Sequence, residues 1–157
     1  MQPRAVIHST FVIERTYAHA PDRVFEAFAD PAKKRRWFVE TAGHKVEHYE
    51  LDFRAGGREL AQFVFQGNTP VAGMSCVTEG TYQIIVPGSH IVFVTTMTIG
   101  GNCISSALVT VEVQPAGSGT ELILTHQAAF FKGADGPVMR EQGWQKLMDR
   151  LAAELAA

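Results

Sequence analysis

The sequence has few features that cross-link a chain or anchor it in a membrane. It contains two cysteines, and no apolar run reaches the length that spans a membrane. Cys76 and Cys103 lie far apart without metal-ligand spacing, and each falls in an apolar run, so we expect both to pack as small hydrophobic side chains. A disulfide between them stays open, but a chain of 157 residues can bury a sufficient core without one. Because no charged segment followed by a long apolar one begins the chain, we expect no signal peptide, no membrane insertion and a cytoplasmic location.

An excess of one charge is also absent. The formal net charge is −2, and the basic residues form no stripe, so we expect no nucleic-acid partner. The only basic run, from Lys33 to Arg36, is typical of a solvated helix end, and we expect its neutralisation to change the stability little. No His, Cys, Asp and Glu cluster has metal-ligand spacing, and no glycine pair fits a phosphate-binding loop. We therefore expect neither a metal nor a cofactor.

What the chain does contain is strong hydrophobic patterning. Alternation from Phe11 to Tyr17 predicts a first strand. Pro21-Asp22 opens a short helix, and Asp30-Pro31 ends it and starts a second one that ends near Trp37.

From about His44 onward the period changes to two residues, which predicts six further strands with short connections. The turns that separate them fall at Gly56-Gly57, Gly67-Asn68, Pro87-Gly88, Gly100-Gly101-Asn102 and Pro115 to Gly119. The strands between these turns cover about Tyr49 to Phe53, Phe63 to Phe65, Val71 to Val86, Ile91 to Ile99, Ile104 to Val113 and Glu121 to Phe130. Short connections favour antiparallel neighbours.

The C-terminal segment predicts one long helix. Asp135-Gly136-Pro137 supplies helix-start chemistry. Apolar residues then recur every three or four positions, at Trp144, Leu147, Met148, Leu151 and Leu155. Charged residues, Arg140 among them, occupy mostly other positions, which we assign to the polar face.

These elements predict one α+β domain over residues 1–157. A curved antiparallel sheet of about seven strands wraps around the long C-terminal helix, with two short helices after the first strand. A curved sheet and a single helix rarely fill the space between them, so we expect an internal cavity.

Five local motifs, in the same order along the chain, resemble the START-like superfamily, also called SRPBCC, with its helix-grip fold. The closest likeness is to the family of activator of heat-shock-protein-90 ATPase homologues. The motifs are Ala20 to Phe25, Asp30-Pro31 leading to Trp37, Asp52 to Gly57, Gly80-Thr81-Tyr82 leading to Pro87, and Gly143-Trp144 followed by Leu147, Arg150 and Leu151.

The resemblance implies a fold and leaves the activity open, because this superfamily includes lipid carriers, cyclases, hydratases, resistance proteins and chaperone regulators. The eukaryotic chaperone activators carry a further N-terminal domain. We expect no equivalent here, since the START-like pattern begins near residue 11.

Aromatic and sulfur-containing side chains, with one histidine, are the expected ligand-binding residues of the cavity, because rings and methionine form adaptable apolar walls. They are Trp37, Tyr49, Phe53, Phe63, Phe65, Tyr82, Met97, His126, Trp144 and Met148. For each of them a place in a filled core is the competing interpretation.

Polar candidates are few. His48, Glu50 and Asp52 alternate with apolar residues and so share a face that we expect to be solvated, while the side of Arg58 is undecided. An inward His126 could orient a ligand or act as a base, or be a hydrogen-bonded core residue.

The favoured function is the binding of a small hydrophobic or aromatic molecule in the cavity, without catalysis. A cyclase- or hydratase-type enzyme that uses the same cavity is one alternative, and a chaperone-regulating interaction module is the other. No catalytic residue is assigned, and a homodimer stays open.

Overall fold

The computed structural model describes residues 5–157, and within them the chain forms one sheet with helices on its concave side. The strands are β1 (Val6–Tyr17), β2 (His44–Leu51), β3 (Arg58–Phe65), β4 (Ser75–Val86), β5 (His90–Ile99), β6 (Asn102–Ala116) and β7 (Gly119–Phe131). The helices are α1 (Pro21–Ala29), α2 (Pro31–Lys34), which continues into a π-helical turn (Arg35–Val39), and α3 (Pro137–Ala156).

The sheet has the strand order β1-β7-β6-β5-β4-β3-β2, and every neighbouring pair is antiparallel. Five of the six pairs join strands that follow one another along the chain, as short connections predict. The sixth pair brings the ends together: Val6 lies opposite Phe131, and Tyr17 lies opposite Thr120. The predicted α+β helix-grip fold, with seven strands and a long C-terminal helix, is confirmed.

One boundary error of the sequence prediction concerns β4, which begins at Ser75 instead of Val71. Residues 70–73 form a turn that folds back on β3, where the Gly73 amide donates to the Phe65 carbonyl at 2.8 Å. Gly73 has a φ of 85°, which glycine adopts far more readily than other residues. Because hydrophobic residues lie on both sides of this turn, the sequence pattern did not reveal it.

The junction between α1 and α2 is held by a tryptophan. The carbonyl of Ala27 would normally accept from the amide four residues on, but that residue is Pro31, which has no N–H. The indole Nε1 of Trp37 donates to this carbonyl instead, at 2.8 Å. Trp37 is therefore a structural residue between the two helices.

The second half of α3 is held against the edge strand β1 by a hydrogen bond and an ion pair. The Tyr17 hydroxyl donates to the Met148 carbonyl at 3.0 Å, and Arg15 pairs with Asp149 at 2.7 Å. The buried stripe of α3 comprises Arg140, Trp144, Met148, Leu151 and Leu155. The stripe predicted from the sequence is correct for four of these, but Arg140 belongs to it and not to the polar face.

The basic run does not form a uniformly solvated helix end. Lys34 is 1% exposed, and its ammonium lies 2.9 Å from the carboxylate of Glu59, which is itself buried. Arg36 forms a two-point ion pair with Glu154, with both N···O distances 2.9 Å, whereas Lys33 pairs with Glu26 near the surface. The solvated helix end predicted for this run is therefore wrong for Lys34, and we expect neutralisation of Lys34 to lower the stability.

Both cysteines are free thiols, Cys76 buried and Cys103 exposed. Between residues 5 and 157, none of the helices is both long and apolar enough to cross a membrane.

Candidate functional site

A cavity of about 450 Å³ lies between the first half of α3 and the concave face of β3, β4 and β5. This volume is in the range of small-molecule sites. Most of the wall is apolar, and its main contributors are Phe38, Val39, Ala61, Phe63, Phe65, Cys76, Phe93, Met97, Ile99, Trp144 and Leu147.

Small side chains on the sheet keep the cavity open. Ala61 lies opposite Thr78 on the neighbouring strand, and Gly80 lies opposite Thr95, and all four residues line the cavity. A filled core would place large apolar side chains at these central positions. The small side chains at these positions therefore leave open space between the sheet and α3.

Five of the ten expected ligand-binding residues lie in this wall: Phe63, Phe65, Met97, His126 and Trp144. They come from β3, β5, β7 and α3, and the curvature of the sheet brings them around one space.

The other five lie outside the wall. Trp37, Tyr82 and Met148 are buried in the main core, and Phe53 packs edge-on against both Tyr82 and Phe25. Tyr49 is half-buried, and its hydroxyl donates to Glu59 at 2.6 Å. Their apolar character was predicted correctly, but they pack against other parts of the protein and do not border the cavity.

An ion pair between buried Arg140 and partly buried Asp135 forms the polar end of the cavity. Arg140 donates to both carboxylate oxygens of Asp135, at 2.9 and 2.8 Å, and also to Ser105 Oγ at 2.9 Å. Its guanidinium contacts the Met97 sulfur at 3.4 Å and lies over the ring of Phe130. The two-point geometry neutralises the arginine within the wall.

His126 lies in the same wall and is 1% exposed. Its ring stacks on Phe11 with the ring centres 4.5 Å apart, and Trp144 lies 6.4 Å away. Nδ1 has no hydrogen-bond partner among residues 5–157. Burial lowers the pKa of His126 to about 4, and the Arg140 charge acts in the same direction, so the imidazole is neutral at pH 7.

A second buried ion pair borders the cavity through Glu59, which accepts from Lys34 and Tyr49. The Lys34 ammonium lies 4.6 Å from the ring centre of Phe38 and 5.6 Å from that of Phe93. Rings attract a cation through their π faces, so they add to the attraction of the carboxylate. Burial and the neighbouring Glu59 raise the pKa of Tyr49 well above its ordinary value.

The remaining candidates divide between rim and outer surface. His44 lies at the rim, stacked on Phe63 with the ring centres 3.8 Å apart. Arg58 points away from the cavity, since its exposed side chain pairs with Glu79 at 3.0 Å. His48 and Glu50 pair with each other on the solvated surface, as the alternation predicts.

Within residues 5–157, neither a strong nucleophile nor a metal site accompanies the cavity. Burial raises the pKa of the Cys76 thiol to about 12, so this wall residue stays protonated and unreactive. No group of three metal-ligating side chains is found in the part of the chain from residue 5 onward.

Sequence reasoning missed Lys34, Glu59 and Arg140, although two of them left a signal. Glu59 has the parity of Ala61 and Phe63, which places it on the inward face of β3. Arg140 precedes Trp144 by four residues, which places it on the apolar stripe of α3. Because both residues are charged, their inward positions in the pattern were not recognised.

The buried neutral state of His126 predicts a loss of stability in acid. Below pH 6.5 the unfolded chain protonates this histidine, whereas the folded chain does so only near pH 4. The free energy of unfolding should therefore fall through this interval, by about 3 kcal/mol from this group alone. Urea unfolding of wild type and of a His126→Phe variant at pH 7 and pH 4 measures the difference.

The variant His126→Phe should lose less stability between these pH values than wild type does. A His8→Gln variant is the control, because it removes a histidine that is exposed on β1 and does not line the cavity. Equal acid sensitivity of wild type and His126→Phe would contradict the prediction.

Comparison with known proteins gives a consistent result. The family model described as Activator of Hsp90 ATPase homolog 1-like protein matches residues 18–156. The crystal structure of the Mll3558 protein from Rhizobium loti is 46% identical, with a TM-score of 0.86, over 96% of this chain and 99% of that chain. A protein from Rhizobium leguminosarum is 32% identical, with a TM-score of 0.88, over 99% of both chains.

A more distant similarity is found with the CV1439 protein from Chromobacterium violaceum. It is 25% identical, with a TM-score of 0.77, over 94% of this chain and 97% of that chain. Among curated proteins, no match is found.

Proposed function

The chain belongs to the family of Activator of Hsp90 ATPase homolog 1-like proteins, and from that premise and the cavity under α3 we propose that it binds a small hydrophobic or aromatic molecule. The observation that carries the proposal is the cavity of about 450 Å³ with its mostly apolar wall. Water gains little from such a wall, whereas an apolar molecule that enters it leaves water and contacts many side chains at once.

The polar groups of the cavity support binding without catalysis. Arg140 and Glu59 are each held by partners inside the protein, and Arg58 lies outside the cavity. Of the polar groups in the wall, His126 is the candidate base for a cyclase- or hydratase-type reaction, and burial lowers its pKa. A base of low pKa removes protons weakly at pH 7.

Uptake of an apolar dye tests the proposal. Nile red, which is uncharged and fluoresces strongly in apolar surroundings, should bind the folded protein with micromolar affinity, about −8 kcal/mol. Gly80→Phe should abolish this binding, because the new ring enters the space that Gly80 leaves under the helix. Fluorescence titration of both proteins measures the effect.

The control is Thr81→Phe, which places the same ring on the exposed face of the same strand and should leave the affinity unchanged. At Gly80 the first carbon of a side chain would lie 3.1 Å from the Val94 carbonyl oxygen, so β5 must shift slightly. Thr95→Phe, on the half-buried cavity wall of β5, blocks the space without that contact.

Failure of wild type to take up the dye while its thermal unfolding remains cooperative would refute the proposal. A chaperone-regulating module, which needs a surface and no open cavity, would then be the better interpretation of the family relationship.

A further inference from the structure

The ionised groups buried around the cavity are all paired with one another. Arg140 is held by Asp135 through two hydrogen bonds, and Lys34 lies 2.9 Å from Glu59. Each pair already satisfies the charge of its partner, so neither offers a free counterion to a ligand. The interior of the cavity is therefore electrically balanced before anything binds.

One buried polar group in the wall has no partner. Nδ1 of His126 lacks a hydrogen bond within the described residues 5–157 and is closed to a molecule in the cavity, so Nε2 is the ring nitrogen that a ligand can reach. Leaving a buried polar side chain without a hydrogen-bond partner is unfavourable. Neutral imidazole can either donate or accept at Nε2, depending on its tautomer, so a hydroxyl or carbonyl group of a ligand can bond to it.

We propose that the cavity selects an uncharged, largely apolar molecule with one hydroxyl or carbonyl group, and that His126 is the hydrogen-bond partner of that group. The inference rests on the proposed function, and it adds the chemical class of the ligand and the orientation in which the polar group lies against β7. Stacking on Phe11 holds the imidazole plane, so its nitrogens are oriented before the ligand enters.

A carboxylate ligand fits this interior poorly. It would leave water without meeting a free cation, since Arg140 is already occupied by Asp135. Lys146 and Arg150 line the rim of the cavity, and they would favour an anion only with its charged end at the entrance, where water screens them. Binding with a charged end at the entrance is thus an alternative orientation, and a matched set of ligands distinguishes it from the proposed one.

Naphthalene, 2-naphthol and 2-naphthoate form such a set, because they share one ring system and differ in a single substituent. At pH 7 the wild type should bind 2-naphthol about tenfold more tightly than naphthalene, the effect of one hydrogen bond, and 2-naphthoate most weakly. Isothermal titration calorimetry of the full chain measures the three affinities.

The variant His126→Phe keeps a ring of similar size against Phe11 and removes the nitrogens. It should lose the preference and bind 2-naphthol and naphthalene with nearly equal affinities. In wild type, the ¹⁵N shifts of the His126 ring should move on addition of 2-naphthol and hardly at all with naphthalene. This second measurement needs no variant.

The outcomes are distinguishable. Equal affinities for naphthalene and 2-naphthol, with unmoved His126 nitrogens, would overturn the inference and leave the proposed function standing. Tightest binding of 2-naphthoate would overturn it in favour of an anion held at the rim. Absence of binding by all three compounds would instead refute the proposed function.

Discussion

Replacing Lys34 by Met should lower the free energy of unfolding by about 3–5 kcal/mol, the usual cost of removing one partner of a buried ion pair. The methionine fills similar space among the rings that surround the ammonium, so lost volume is a minor part of the effect. The main part is Glu59, whose carboxylate would stay 6% exposed without its cation. Chemical denaturation at pH 7 measures the change.

Two further variants separate charge from packing. Lys33→Met, at the neighbouring residue in the same basic run, should change the stability by less than about 1 kcal/mol, because its pair with Glu26 is partly exposed to water. The double variant Lys34→Met with Glu59→Gln should recover much of the loss, since no unpaired charge stays buried and Gln still accepts from Tyr49. Equal effects of Lys33→Met and Lys34→Met would contradict this account.

The second large effect is expected for Trp37→Ala, which should destabilise the protein by about 3–5 kcal/mol. The side chain is 1% exposed and packs edge-on against Phe28 and Phe38. Its loss would also leave the Ala27 carbonyl without the donor that replaces the missing N–H of Pro31. Urea denaturation gives the magnitude.

Trp144→Ala is the matched comparison, because it removes the same side chain from the wall of the cavity. One side of Trp144 already faces open space, so fewer contacts disappear and the cost should fall to about 3 kcal/mol or less. It should also weaken Nile red binding, whereas Trp37→Ala should leave the affinity of the folded fraction unchanged. A larger cost for Trp144→Ala than for Trp37→Ala would mean that the assignment of core and wall is wrong.

The candidate site could be predicted only in part, and Phe63 and Phe53 show why. Both are aromatic residues on the inward parity of their segments, yet Phe63 borders the cavity and Phe53 packs against Phe25. Parity gives the face of the sheet on which a side chain lies. It does not give the distance from that face to the helix above it.

The sequence alone determined the order of the elements, the antiparallel sheet and the apolar stripe of α3, because these depend on local periodicity and turn residues. Only the tertiary structure decided that Lys34 meets Glu59, that Arg140 meets Asp135, and that Nδ1 of His126 has no hydrogen-bond partner within residues 5–157. The physical reason is that the local sequence pattern around a charged residue is the same whether its side chain is buried in an ion pair or exposed to water. Which of the two a residue becomes depends on side chains that folding brings from distant parts of the chain.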